Sequence, residues 1–219
     1  ERIDSVKNTS QITNAMNIVS STKFKKFQVL TLKSRNYARA VNEAFDNLVA
    51  SLTGNKFVIF DGKTEVKRVG IIVMTSDRGL CGSFNSNTFR RLESMKKEFQ
   101  KEGKDVSVIT IGRKAKEYCK NRDINVDSEY TQMIPETMFE TGKKISEDVV
   151  QFYLNDFYDE VYMIYSKFVS AVEYNIQVEK LLPIEKKEGL PTKEYVFEPS
   201  EEEVLNSFVP QVLNIKLYQ

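Results

Sequence analysis

The chain has 219 residues, 32 of them basic and 31 acidic, with no histidine and two cysteines. That length makes one or two domains, and 41% hydrophobic with 29% charged residues is the balance of an ordinary soluble protein. The missing histidine excludes histidine-based triads, histidine metal sites and the usual general base at neutral pH, but not carboxylate or lysine chemistry.

No glycine or proline precedes Gly54, which predicts one uninterrupted helix over residues 1–52. At 1.5 Å per residue it spans roughly 75 Å. The rest of a compact fold cannot cover that length, so most of the helix must lie along a partner. Phe27, Leu30, Ser34, Tyr37, Val41, Ala44 and Leu48 recur at the a/d spacing of a coiled coil. Carried backwards, the same seam passes through Lys23, Ser20, Met16, Thr13, Thr9, Val6 and Arg2 and is weak. Small polar residues of modest helix propensity dominate that half, among them Asn8, Ser10, Asn14, Asn17, Ser21 and Thr22. Residues 1–40 also hold eight basic side chains (Arg2, Lys7, Lys23, Lys25, Lys26, Lys33, Arg35, Arg39) against Glu1 and Asp4. A basic rod on a nearly neutral chain expects an acidic protein surface or nucleic acid as its partner. Exposed ion pairs contribute only about 0–1 kcal/mol each, so such lysines tune a contact rather than create it.

After Gly54, Phe57–Phe60 reads as a loop or short strand. Val69–Thr75 is apolar on both faces, as a central parallel strand is. A helix over Ser86–Gln100 follows, with Phe89, Leu92, Met95, Lys96 and Phe99 along one side. Then come a buried strand at Val106–Ile111, a short basic helix at Arg113–Lys120 and a small strand near Ile124–Val126. A helix over Thr141–Phe157 presents Ile145, Val149, Phe152 and Tyr153 inward. Two further strands, Glu160–Phe168 and Ile176–Ile184, precede a charged loop at Glu185–Lys193 that reads as flexible. Ser200 through Glu203 form a capping box. The helix it opens must kink or restart at Pro210 and runs to Gln219. Strands alternating with helices predict an α/β layer with a mainly parallel, Rossmann-like sheet. The expected division is a shaft helix at 1–53, an α/β domain at 54–199 and the start of a C-terminal helical region at 200–219.

The loop Ser76–Asn85 invites comparison with phosphate-binding turns, since helix N-termini attract anions. Its glycines, Gly79 and Gly82, match neither the P-loop nor the dinucleotide spacing, and no lysine follows. The reading is a tight turn, fixed by an ion pair between Asp77 and Arg78, with Cys81 incidental. The acidic run Asp156–Glu160 reads as solvated surface, and the aromatic residues of the strands as core. No run reaches the length of a membrane span, and two cysteines without a framework fit a reducing compartment. On the residues alone, three readings stay open: a shaft that needs a partner, an α/β nucleotide-binding enzyme with a helical arm, and a nucleic-acid-binding coiled coil. Stoichiometric nucleotide binding favours the second, and steeply salt-dependent DNA affinity the third.

Two stretches go further. Ser5-Val6-Lys7-Asn8-Thr9-Ser10-Gln11-Ile12-Thr13-Asn14-Ala15-Met16, continuing through Val19, Lys23, Lys26 and Gln28, resembles the N-terminal helix of the gamma subunits of F-type ATP synthase. Thr75 through Asn85 is similar to that family's "SDRGLCGxxN" segment, and Glu198-Pro199-Ser200 with Leu205 and Tyr218 is similar, more weakly, to the lead into its last helix. The resemblance implies a central rotor shaft with no catalytic site, cofactor or metal of its own. One copy would stand in a hexamer of alpha and beta subunits and couple proton- or sodium-driven rotation of the c ring to ATP synthesis or hydrolysis. It implies contact with the beta subunits through Met16, Lys23, Lys25, Lys26, Asp77, Arg78 and Cys81, and with the c ring and the epsilon subunit through Tyr195, Phe197 and Glu198. It implies no nucleic acid, a membrane met only through the c ring, and a place at the cytoplasmic face of a bacterial cell membrane. The family's long C-terminal helix, ending in a "TxExxEIVxGA" pattern, is not in this sequence. The segment Leu182–Tyr195 is short and free of cysteine, unlike the redox insert of plant-type subunits, so a bacterial-type subunit is expected.

Overall fold

The computed structural model describes residues 1–53, 56–170, 173–187 and 195–218. The chain divides into two compact units, Glu1–Phe45 and Asp46–Tyr218. Helix α1 (Arg2–Ala50) supplies all of the first and its own last turn to the second. It is unbroken, as the lack of glycine and proline requires. Its protected line differs from the expected seam. The less exposed positions run Phe27, Leu30, Ser34, Ala38, Val41, Phe45 and Leu48, while Tyr37 is 51% exposed. A straight helix turns every 3.6 residues and drifts about 20° per heptad from a seven-residue repeat. Phe27 and Phe45 are five turns apart at that pitch, so they share a line that Ala44 leaves.

In the second unit, the loop or short strand expected at 57–60 is instead a single helical turn, α2 (Val58–Asp61). The Asp61 carboxylate reaches back to accept the Phe57 N–H at 2.8 Å, and this local bond competes successfully with an extended conformation. Next come β1 (Arg68–Met74), α3 (Phe84–Lys101), β2 (Asp105–Ile111), α4 (Arg113–Lys120), β3 (Val126–Tyr130), α5 (Met138–Leu154), β4 (Glu160–Ser170), β5 (Glu173–Leu182) and α6 (Glu201–Tyr218). Of the charged loop expected at 185–193, residues 188–193 lie outside the described residues.

Among the described residues the strands form one sheet in the order β3-β2-β1-β4-β5, parallel except for β5. Crossovers from β1 to β2 and from β2 to β3 run one way along the sheet, and the return from β3 to β4 runs the other. Right-handed connections therefore place α3 and α4 on one face and α5 on the opposite face. The packing agrees. Val69, Ile71 and Val73 of β1 meet Leu92, Met95, Ala115 and Cys119, while the opposite side of Gly70 is covered by the Tyr158 ring. Ile71 and Ile72 are both fully buried; burying such a side chain contributes about 1.5–3 kcal/mol.

Helix α6 packs on α5 and opens where the Ser200 hydroxyl accepts the Glu203 N–H at 3.2 Å. It does not restart at Pro210. Val209, Val212 and Leu213 around the proline are all buried, and that burial outweighs one lost backbone bond. Strand β4 pairs with β1 only from Glu160 to Ile164, and β5 accompanies it to Ser170. The outer part is thus a two-stranded ribbon beyond the sheet. That explains why Phe168, expected in the core, is 54% exposed.

Candidate functional site

Three groups of residues carry the expected contacts, and the structure treats them differently. On α1, Met16, Lys23, Lys25 and Lys26 all lie on an exposed stretch. At 100° per residue, Met16 and Lys23 share one face, Lys26 flanks it and Lys25 points to the other side. The helix therefore does not gather its three lysines into one patch. Around them Ile3, Val6, Ile12 and Ile18 are each more than 60% exposed. The small polar residues hold the helix in their own way. The hydroxyls of Thr9, Thr13 and Thr22 donate to the carbonyls of Ser5, Thr9 and Ile18 at 2.8–2.9 Å, a back-bond that lets threonine sit inside a helix.

The second group lies at the C-terminal end of β1. Thr75, Ser76 and Asp77 take the first three N–H groups of α4. The Thr75 hydroxyl accepts from Ala115 at 2.8 Å, the Ser76 carbonyl from Lys114 at 3.2 Å and the Asp77 carboxylate from Arg113 at 2.8 Å. Asp77 also accepts the Gln132 N–H at 3.3 Å, and its carbonyl accepts from the Arg113 guanidinium at 3.0 Å. The expected Asp77–Arg78 pair is thus replaced: two backbone donors meet the carboxylate, and Arg78 faces outward. The N-terminus of α4, which in an open α/β sheet is a place for an anion, is occupied by the chain itself. Gly112 allows this, with φ 98° and room for no Cβ, which would lie 2.2 Å from the Thr75 oxygen.

Asn85, a residue within the motif to which the sequence assigned no role, ties the later part of the loop back to its start at Ser76. Its side-chain oxygen accepts the Ser76 N–H at 3.1 Å, and its amide donates to the Ser76 hydroxyl at 2.8 Å and to the Cys81 sulfur at 3.2 Å. Between these anchors Leu80 is 95% exposed at φ 60°. The tight-turn reading holds, but its left-handed residues are Leu80 and Gly82, not Gly79. Cys81 is exposed, while Cys119 lies on the buried face of α4 with its thiol pushed up to about 11, chiefly by burial.

The third group leads into α6. Tyr195 is 48% and Val196 91% exposed, Glu198 is exposed and Phe197 half-buried. Val196 is the most open apolar residue of this stretch and lies within the Tyr195–Glu198 segment whose resemblance to the family's foot leads to the expected c-ring contact.

The acidic run Asp156–Glu160 is not simply solvated surface. Asp159 is 2% exposed. It accepts the N–H groups of Lys67 and Arg68 at 2.9 and 2.8 Å and the Arg68 guanidinium at 2.9 Å, with Lys63 at 3.4 Å. Burial alone would raise its pKa, but these donors together hold it down to about 2. Lys63 also donates to the carbonyls of Tyr153 and Tyr158 at 3.0 and 2.7 Å and pairs with Asp156 at 2.7 Å. This cluster ties the segment before β1 to the turn before β4.

A family model described as ATP synthase matches residues 1–219. The ATP synthase gamma chain of Fusobacterium nucleatum is 42% identical over 218 residues, which cover all of this chain and 77% of that one. The chain belongs to the ATP synthase gamma chain family. Gamma chains of Aquifex aeolicus and Trichlorobacter lovleyi are 37% and 34% identical, again across all of this chain and 76% and 77% of theirs. A chain of the Tetrahymena thermophila mitochondrial ATP synthase central stalk and c ring has the same fold, with a TM-score of 0.67 at 22% identity over 94% of this chain and 89% of that one. As a gamma chain, the protein is the central rotor shaft subunit of ATP synthase, a membrane-associated complex, and has no catalytic site of its own. Among the described residues no helix is long and apolar enough to cross a membrane.

Proposed function

We propose that this gamma chain stands as a single copy in a hexamer of alpha and beta subunits, on the cytoplasmic face of a bacterial membrane. Residues 1–53 form the shaft, 54–199 the α/β body and 200–219 the start of a further helical region. Lys23, Lys25, Lys26 and Met16 meet the beta subunits along the shaft, and the loop bearing Asp77, Arg78 and Cys81 meets them from the body. Tyr195, Phe197 and Glu198 face the c ring and the epsilon subunit. Contact with the membrane runs only through that ring.

The observation that carries this reading is the exposure of α1. Ile3, Val6, Ile12 and Ile18 are 62–73% exposed, on a helix half that is otherwise small and polar. Leaving such side chains in water forgoes about 1.5–3 kcal/mol each, and an enclosing sleeve recovers part of it. The basic side chains, spread around the axis rather than on one face, suit a sleeve of repeated acidic elements better than a single flat partner. A shaft that differs around its axis shifts the states of three beta subunits only through unequal contact with each.

The test is co-expression with alpha and beta subunits and native mass measurement. One copy per three of each is expected, and the double substitution Lys23→Glu, Lys26→Glu is expected to lower ATPase activity of the assembly at least several-fold. An assembly whose activity ignores that charge reversal overturns the shaft contacts. Failure of any assembly to form at low salt overturns the placement.

A further inference from the structure

Ser83 stands at the N-cap of α3, where serine ordinarily accepts a backbone N–H two or three residues on. Here it makes no such bond. Its hydroxyl instead lies 3.0 Å from the hydroxyl of Tyr174 on β5. The Asn87 amide, one turn into α3, donates to both, at 3.3 Å to Ser83 and 3.2 Å to Tyr174. The Tyr174 ring packs edge-on against Phe84, the first residue of α3, at 5.2 Å between centroids. Three side chains on two elements, some ninety positions apart in sequence, thus close on one point.

That point joins two parts of the body that, among the described residues, meet nowhere else in the sheet ladder. One is the ribbon of β4 and β5 beyond Ile164, which has left the reach of β1. A lone two-stranded hairpin is marginal in water. The other is the loop between Ser76 and Ser83. Its first end is held by α4 and Asn85, and it carries Leu80 in a left-handed conformation that leucine adopts only when its surroundings impose it. β1 and β4 run parallel, so this loop and the ribbon leave the same edge of the sheet.

We propose that Tyr174 is a positioning residue that locks the ribbon and the Ser76–Ser83 loop into one rigid element, setting how Arg78 and Leu80 are presented. What they are presented to, the beta subunits, rests on the function proposed above; the lock does not. A serine that forgoes its helix cap for a distant tyrosine is the mark of it.

The test is Tyr174→Phe, which keeps the ring against Phe84 and removes the hydroxyl, with Ser83→Ala as the variant from the other side. In the full chain, hydrogen exchange is followed over 76–88, over 165–177 and over the core strand 105–111. Each variant is expected to speed exchange several-fold in the first two segments and to leave the third unchanged, with the Tm within a few degrees. Exchange unchanged in the loop, or raised equally in the core strand, overturns the lock. The same variants are then assembled with alpha and beta subunits. Loss of ATPase activity with intact assembly is the sign of positioning, which a merely stabilising contact would not produce. If loop and ribbon loosen while the assembly keeps full activity, the lock stands and the loop's contact with the beta subunits falls.

Discussion

Asp159 offers the most direct check on the electrostatics of the body. Asp159→Asn removes the charge while keeping the size. The two backbone donors from Lys67 and Arg68 keep at best a neutral acceptor, and Lys63 and Arg68 lose their carboxylate. Breaking a buried pair costs about 3–5 kcal/mol. Arg68 keeps 46% of its side chain in water, however, and Lys63 keeps Asp156 and two carbonyls, so the lower part of that range or below applies. Linkage points to the same size. The folded pKa of about 2 stands below the ordinary value of 3.8, and at 1.36 kcal/mol per pKa unit that is about 2 kcal/mol. A depressed carboxylate pKa gives stability that is fully present above the unfolded pKa and is lost as pH falls toward the folded one. Urea unfolding of wild type and Asp159→Asn is expected to differ by about 2 kcal/mol at pH 7. The gap is expected to hold down to about pH 5 and to shrink between about pH 4 and 2. A gap that does not change with pH refutes the ionic account, and no gap at pH 7 refutes the role of the cluster.

Three further outcomes follow from close approaches and burial. Gly112→Ala places a Cβ 2.2 Å from the Thr75 oxygen at φ 98°, so thermal unfolding should show a loss of about 2–3 kcal/mol. Gly142→Ala places one 2.4 Å from the side-chain oxygen of buried Asn214. The overpacking cost of about 1–3 kcal/mol is expected to exceed the helix gain of about 1 kcal/mol, and adding Asn214→Ala should reverse the sign; a Gly142→Ala chain more stable than wild type would refute the tight α5–α6 contact. In the full chain at pH 8, a thiol reagent should modify Cys81 quickly and Cys119 only on unfolding, because Cys119 is fully buried and its thiolate form is suppressed by burial. Equal rates for the two thiols would refute the burial of α4.

Much of this architecture is readable because the relevant signals are local. Val69–Met74 and Val106–Ile111 are apolar on both faces, as central strands are. Gly112 marks the start of α4, and fifty residues without a breaker make one helix. The two motifs carry the family. What stays hidden depends on partners far away in the chain. Nothing local in Asp156–Glu160 separates Asp159 from its solvated neighbours; its donors come from residues 63–68. Ser83 reads as part of a turn and Tyr174 falls between the two expected strands, and only the fold brings them together. Phe57–Phe60 has strand composition, and one carboxylate at Asp61 makes it a helical turn. The least exposed line of α1 runs through Ala38 and Phe45 where a seven-residue repeat expects Tyr37 and Ala44, and Phe27 to Phe45 is a spacing of 18 residues, five turns of a 3.6-residue helix.

The back-bonded threonines of α1 have a bearing on friction. A hydrogen bond formed and broken as two surfaces pass adds a ripple of about 1 kcal/mol to the energy along the way. Thr9, Thr13 and Thr22 have already committed their single hydrogens to the carbonyls one turn behind. They therefore have no donor to exchange with a neighbour, and no hydroxyl must be stripped of a partner when the neighbour moves. If the shaft turns inside other subunits as proposed above, Thr9 and Thr13 on one side of α1 and Thr22 on the other offer the passing surface no hydroxyl donor to catch on.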